Sequence, residues 1–180
     1  MSPQRKENWI ECGLELLGNE GVSAITIERL TQALGVTKGS FYHHFKNIQA
    51  FKEALLDAWE TDSTVIIRAI ETKGDPFRVL KGLLGEYEKR SPLPEIAIRA
   101  WAVTDPLPRE YMTRLDALRI TFIAKLLGKI LGTKKRGEAA ALVLYTATVG
   151  SLMSHPPLPL GSIKTIYGEF FRLYGIGPAN

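Results

Sequence analysis

Each thing this sequence lacks excludes a class of protein. Cys12 is the only cysteine in 180 residues, so no internal disulfide can form and a disulfide-stapled secreted scaffold is excluded. Its neighbours Trp9, Leu16 and Leu17 mark it as a small apolar residue rather than a reactive thiol. No run of about 18 apolar residues occurs, so no membrane span is expected. A charged-then-apolar leader is also missing, and a cytoplasmic protein is expected. Only three histidines are present. His43 and His44 are adjacent, which on a helix points them about 100° apart, and His155 lies far away. The i, i+4 pair that zinc sites use is therefore missing. Neither a metal nor a cofactor is expected. No nucleotide loop or nucleophile elbow occurs, and carboxylates such as Glu86 and Glu88 sit on a polar face. An enzyme is not expected.

Acidic residues are missing from one stretch in particular. The chain as a whole carries a net charge of +4. Residues 1–60 hold six Lys/Arg against eight Asp/Glu, so a general argument from a basic domain to nucleic acid fails. Residues 29–52, however, contain no Asp or Glu, while Arg29, Lys38, Lys46 and Lys52 stand there with His43 and His44. A local positive face is what phosphate contact requires.

That stretch overlaps residues 26–47, around which the chain is organised. Thr26 can cap a helix, because its side-chain oxygen can accept an orphan N–H of the first turn. Ile27, Leu30 and Leu34 then recur at helical spacing. Gly35 ends the helix, since glycine tolerates the left-handed backbone common there. Val36 tucks inward, and Thr37 is expected to cap a second helix over residues 38–45. Two capped helices around a glycine turn make a helix-turn-helix. In the second helix Phe41 and Phe45 are buried-type anchors four residues apart. Lys38, Ser40, Tyr42, His43 and His44 supply hydrogen-bonding groups around them. The major groove of B-DNA admits such a helix and offers base edges to read.

The remaining chain reads as helices throughout. A first helix over residues 4–20 carries Ile10, Gly13, Leu14 and Leu17 on one face, with Arg5 and Lys6 at its exposed start. Asn47 can cap a long helix over residues 48–72, striped by Ile48, Phe51, Leu55, Trp59, Ile66 and Ile70. At that length it spans roughly 35 Å, more than a small head needs, and it reads as a connector to a second helical region. Asp75 and Pro76 open the next helix. Short proline-rich breaks then set off helices expected over residues 95–104 and 109–131, with residues 133–137 as a basic turn. The helix expected over residues 138–153 is almost wholly small or apolar. Such a helix is either buried or pairs with another subunit. A last helix is expected over residues 161–174. The count is nine helices with no convincing strand, an all-α protein.

These residues resemble the TetR/AcrR type of TetR-family transcriptional regulator. The likeness runs over residues 9–55 and peaks at Gly39-Ser40-Phe41-Tyr42-His43-His44-Phe45, which is similar to the family's recognition-helix signature. Arg99-Ala100-Trp101-Ala102 followed by Asp105-Pro106 is similar to a stretch found in many members. One departure stands out: Ile48 occupies the place where members often carry a backbone-gripping lysine, and Lys46 with the Asn47 cap is left to replace it.

The resemblance implies a DNA-binding head over residues 1–47 and a ligand-binding and dimerisation domain over residues 48–180. It implies that Thr26, Thr37 and Tyr42 contact phosphates. Lys38, Gly39, Ser40 and His43 face base edges, and Lys46 supports the backbone grip. It implies a homodimer paired through the last two helices on a palindromic operator of double-stranded DNA. A small apolar or amphipathic effector would release this repressor. The cavity would be lined by Tyr87, Trp101, Tyr111 and Phe122, although aromatic residues in a helical bundle are core by default. An effector-independent DNA-binding protein and a helical small-molecule binding module are the alternatives.

Overall fold

The computed structural model describes residues 5–70, 74–156 and 158–177, apart from a few side chains within the helices. The described residues form nine α-helices and no strand. They are α1 (Lys6–Glu20), α2 (Ile27–Leu34), α3 (Lys38–His44), α4 (Ile48–Ile70), α5 (Pro76–Glu88), α6 (Leu93–Thr104), α7 (Pro106–Ile130), α8 (Lys134–Met153) and α9 (Leu160–Tyr174). A single 3-10 turn, Val22–Ala24, links α1 to α2.

Local chemistry sets most of these ends. The side chains of Thr26, Asn47 and Asp75 accept the N–H groups of Arg29 at 3.1 Å, Ala50 at 2.8 Å and Arg78 at 2.9 Å. Each satisfies a donor that the first helical turn leaves orphaned. Gly35 closes α2 with φ +64°. Its N–H reaches the Gln32 carbonyl at 3.2 Å while that of Val36 reaches Thr31 at 3.0 Å, the paired bonds of a Schellman end.

Three helices start two or more residues earlier than the sequence suggests. α6 begins at Leu93 rather than residue 95, and α7 at Pro106 rather than residue 109. Proline in a first turn loses no hydrogen bond, because that N–H has no partner within the helix. The Asp105 carboxylate then accepts the Leu107 N–H at 2.9 Å. α8 begins at Lys134 and absorbs the expected basic turn, with Thr133 accepting the Arg136 N–H at 3.3 Å. Thr37 departs in the other direction. It holds the N-cap position of α3 with an extended backbone, but its side chain makes no capping bond.

The chain forms two compact units, one of Met1–Ser63 with Pro92–Thr113 and the other of Thr64–Ser91 with Arg114–Asn180. In the first, Trp9, Leu17, Leu30, Phe41, Phe51 and Leu55 are wholly buried. Trp9 stands edge-on to Phe41 with ring centroids 5.5 Å apart. α1 lies close to two partners. A Cβ on Gly13 would fall 2.6 Å from Leu55 on α4, and one on Gly18 would fall 3.0 Å from Leu93 on α6. α6 therefore packs as part of the head's own unit, so compactness divides the chain differently from a cut at residue 47. In the second unit Leu80, Leu127, Ala140, Ala141 and Leu144 form the centre of a core completed by Phe122, Tyr167 and Phe170.

Candidate nucleic-acid interface

α3 has two chemically distinct faces. Phe41 and Phe45 point inward and are buried against Trp9 and Phe51. This fixes the rotation of a helix only seven residues long. The rest of α3 is turned to solvent. Thr37, Lys38, Gly39, Tyr42 and His43 are exposed and Ser40 is half-buried. Tyr42 is 56% exposed, a high value for so large an aromatic residue, and its ring stands edge-on to Phe41. Lys46 is exposed just beyond the helix. Thr26 is half-buried, and its hydroxyl oxygen is already engaged in the cap of α2. The Thr37 hydroxyl is not engaged in that way.

The positive window is less positive in three dimensions than in sequence. The Arg29 guanidinium donates to both carboxylate oxygens of Glu20, from Nε at 3.0 Å and from the terminal nitrogen at 2.5 Å. That contact holds the Glu20 carboxyl below its ordinary range. The Lys38 ammonium donates to Glu28 Oε1 on the first turn of α2. It holds the Glu28 carboxyl below its ordinary range and is itself pushed up. Lys52 turns toward α6, with its ammonium 5.4 Å from the centre of the Trp101 ring. Lys46 alone of the four window cations pairs with no carboxylate or ring among the described residues. Sequence spacing missed both carboxylates, because Glu20 and Glu28 lie nine and ten residues from their partners, outside any helical repeat. They meet through the turns between helices.

The expected effector-lining residues do not all belong to one compact unit. Trp101 donates its indole N–H to Asp105 at 2.8 Å, and the Tyr111 hydroxyl donates to Asp57 on α4 at 2.6 Å. Both belong to the first compact unit. Phe122 is buried in the core of the second. The Tyr87 side chain lies outside the described residues. Among the described residues no group of three or more His, Cys, Asp or Glu side chains could hold a metal.

Comparison with known proteins falls on this same head. The family model for bacterial regulatory proteins of the tetR family matches residues 10–58, the segment that carries α2, α3 and the buried aromatic anchors. Residues 10–58 thus match the tetR family's regulatory proteins. Over 55 residues this chain is 40% identical to the transcriptional regulator AcuR of Cereibacter sphaeroides, covering 31% of this chain and 25% of that protein. Over 61 residues it is 39% identical to the class C tetracycline repressor protein of Escherichia coli, covering 34% of this chain and 28% of that one. The chain thus spans about a quarter of the length of each of these two relatives. The fold likeness reaches further. A crystal structure of a transcriptional regulator from Rhodococcus sp. Rha1 matches with a TM-score of 0.71 and 19% identity, covering 94% of this chain and 97% of that one.

Proposed function

We propose that this chain is a TetR-family regulator, a homodimeric repressor that reads a palindromic operator in double-stranded DNA through α3. The observation that carries the reading is the orientation of α3. Burial of Phe41 and Phe45 leaves Thr37, Lys38, Gly39, Tyr42 and His43 together on one solvent face. In this reading Thr26, Thr37, Tyr42 and Lys46 contact phosphates, and Lys38, Gly39, Ser40 and His43 face base edges. Residues 1–47 are the reading head, and residues 48–180 carry dimerisation and sensing. One relative of the head is a tetracycline repressor, which supports repression.

The dimer forms through α8 and α9. Leu142 and Val143 on α8 and Leu173 on α9 are exposed, at 54%, 52% and 71%. Apolar exposure of that kind favours a partner surface. Paired heads would then meet successive major grooves about 34–36 Å apart. No helix among the described residues is long and apolar enough to cross a membrane, consistent with a protein that works on DNA in the cytoplasm.

A small apolar or amphipathic effector releases the repressor by favouring a non-binding state. One observation favours the second reading, a regulator without an effector. Trp101 and Tyr111 already spend their polar groups on Asp105 and Asp57, and Phe122 fills a core. A footprinting experiment on DNA upstream of the chain's own gene, repeated with a metabolite library, separates these. A symmetric footprint lifted by one compound supports the gated repressor. A footprint that no compound lifts supports the ungated one. An absent footprint on that DNA and on random-sequence DNA overturns both.

A further inference from the structure

The contact between Lys38 and Glu28 is the feature of the head that phosphate binding does not explain. Both side chains are well exposed, at 58% and 68%. The pair joins the first turn of α2 to the first residue of α3, next to the exposed Gly39. A carboxylate there is unfavourable next to a phosphate, because like charges repel and the duplex is densely anionic. It therefore works against any role for Lys38 as a simple backbone grip. At the floor of the major groove the same pair has a different value. An ammonium can donate to guanine O6 and N7, and a carboxylate can accept from the N4 amino group of cytosine. A G·C pair presents these groups side by side. A donor and an acceptor already held together match that pattern without rearrangement, which limits the ordering cost of binding.

Resting on the reading of α3 as the DNA-recognition helix, we propose that Glu28 is a specificity-determining residue. It acts with Lys38 as one unit that selects a single G·C base pair in each half-site. Lys38 donates to the guanine and Glu28 accepts from the paired cytosine. The mutual contact lowers the Glu28 carboxyl and raises the Lys38 ammonium, so both keep their charges at neutral pH. Glu28 also lowers affinity for DNA of any other sequence, where its charge meets phosphate or an unmatched base edge and gains nothing. It thereby raises the ratio of specific to non-specific binding, the quantity that matters against a genome of competing sites.

The test is selection from a random double-stranded library with the full-length protein, run in parallel for wild type, Glu28→Ala and Lys38→Ala. Circular dichroism melts of each protein establish that it is folded. The wild type is expected to select a symmetric site with one strongly preferred G·C pair per half. In both variants the preference at that same pair should fall from about tenfold or more to about threefold or less, while the other positions keep theirs. Glu28→Ala should also bind random-sequence DNA several-fold more tightly than wild type does. A wild-type site that Glu28→Ala leaves unchanged overturns the proposal and spares the DNA-binding reading. So does a loss in the two variants at different base pairs, or at an A·T pair. If the folded wild type selects no sequence and binds no random DNA, the reading of α3 falls and the proposal falls with it.

Discussion

Gly137 of α8 meets Gly128 of α7 backbone to backbone: a Cβ on Gly137 would lie 2.5 Å from the Gly128 Cα and 2.3 Å from its nitrogen. Neither backbone can give way as a flexible side chain would. Gly137→Ala should therefore destabilise the protein by about 3 kcal/mol or more, the upper part of the range for overpacking. Gly82, within α5, is the control, because nothing lies within 4 Å of its added Cβ. Gly82→Ala should stabilise by about 0.5–1 kcal/mol, since alanine loses less backbone entropy than glycine in a helix. Urea unfolding of the two variants, with opposite signs of change, checks the pair.

Thr26 and Thr37 occupy equivalent N-cap positions but spend their hydroxyls differently. Thr26 accepts the Arg29 N–H, and Thr37 makes no capping bond. Thr26→Ala should cost about 1 kcal/mol of stability. Thr37→Ala should change stability by less than about 0.5 kcal/mol, as surface substitutions usually do, yet weaken operator binding measurably. Thermal melts beside gel-shift titrations give both numbers. Equal destabilisation by the two variants would contradict the difference in caps.

Lys46 is the window cation with no carboxylate or ring partner among the described residues. Lys46→Ala should lower affinity about equally for all sequences. It should also flatten the plot of log K against log salt by about 0.9 for each head that contacts DNA. A dimer would show about twice that change. Fluorescence anisotropy across a salt series measures it, and an unchanged slope would remove Lys46 from the interface.

Glu20 gives the head a pH dependence whose sign follows from Arg29. The guanidinium holds the folded carboxyl below its ordinary value. On acidification the unfolded chain therefore takes up the proton first. The contribution is complete above the ordinary carboxylate range of about 4 to 5 and is lost as pH falls through the lower folded value. The melting midpoint should hold steady from neutral pH to that range and then drop. Glu20→Gln should be the less stable form at neutral pH and show a shallower drop. A parallel pair of curves would count against the contact. Glu20 is exposed, so the effect is small.

Tyr111 tests whether the aromatic residues of the first unit hold structure or an effector. Its hydroxyl donates to Asp57 at 2.6 Å, and the residue is 9% exposed. Tyr111→Phe should destabilise by about 1.5–3 kcal/mol, the range for a hydrogen bond to a charged partner. If it instead leaves the melting midpoint unchanged and abolishes release by an effector, Tyr111 belongs to the ligand site.

Residue order alone went a long way here. Thr26, Gly35, Asn47 and Asp75 act on neighbours within five residues, so their caps and stops were legible without a fold. The four-residue step from Phe41 to Phe45 determined which side of α3 faces inward, because helical periodicity is local. The prolines at the starts of α6 and α7 lie inside the helices, because a first turn accepts a ring that an interior would reject. What only the tertiary structure decided are relationships between distant segments. The packing of α6 on α1 depends on the bare backbone of Gly18. The pairing of Lys38 with Glu28 depends on how a turn brings α2 beside α3. A charge count along the chain sees four cations over residues 29–52. Folding brings Glu20 and Glu28 to two of them and an aromatic ring to a third. Electrostatic interaction depends on distance in space, and spacing along the chain does not carry that distance.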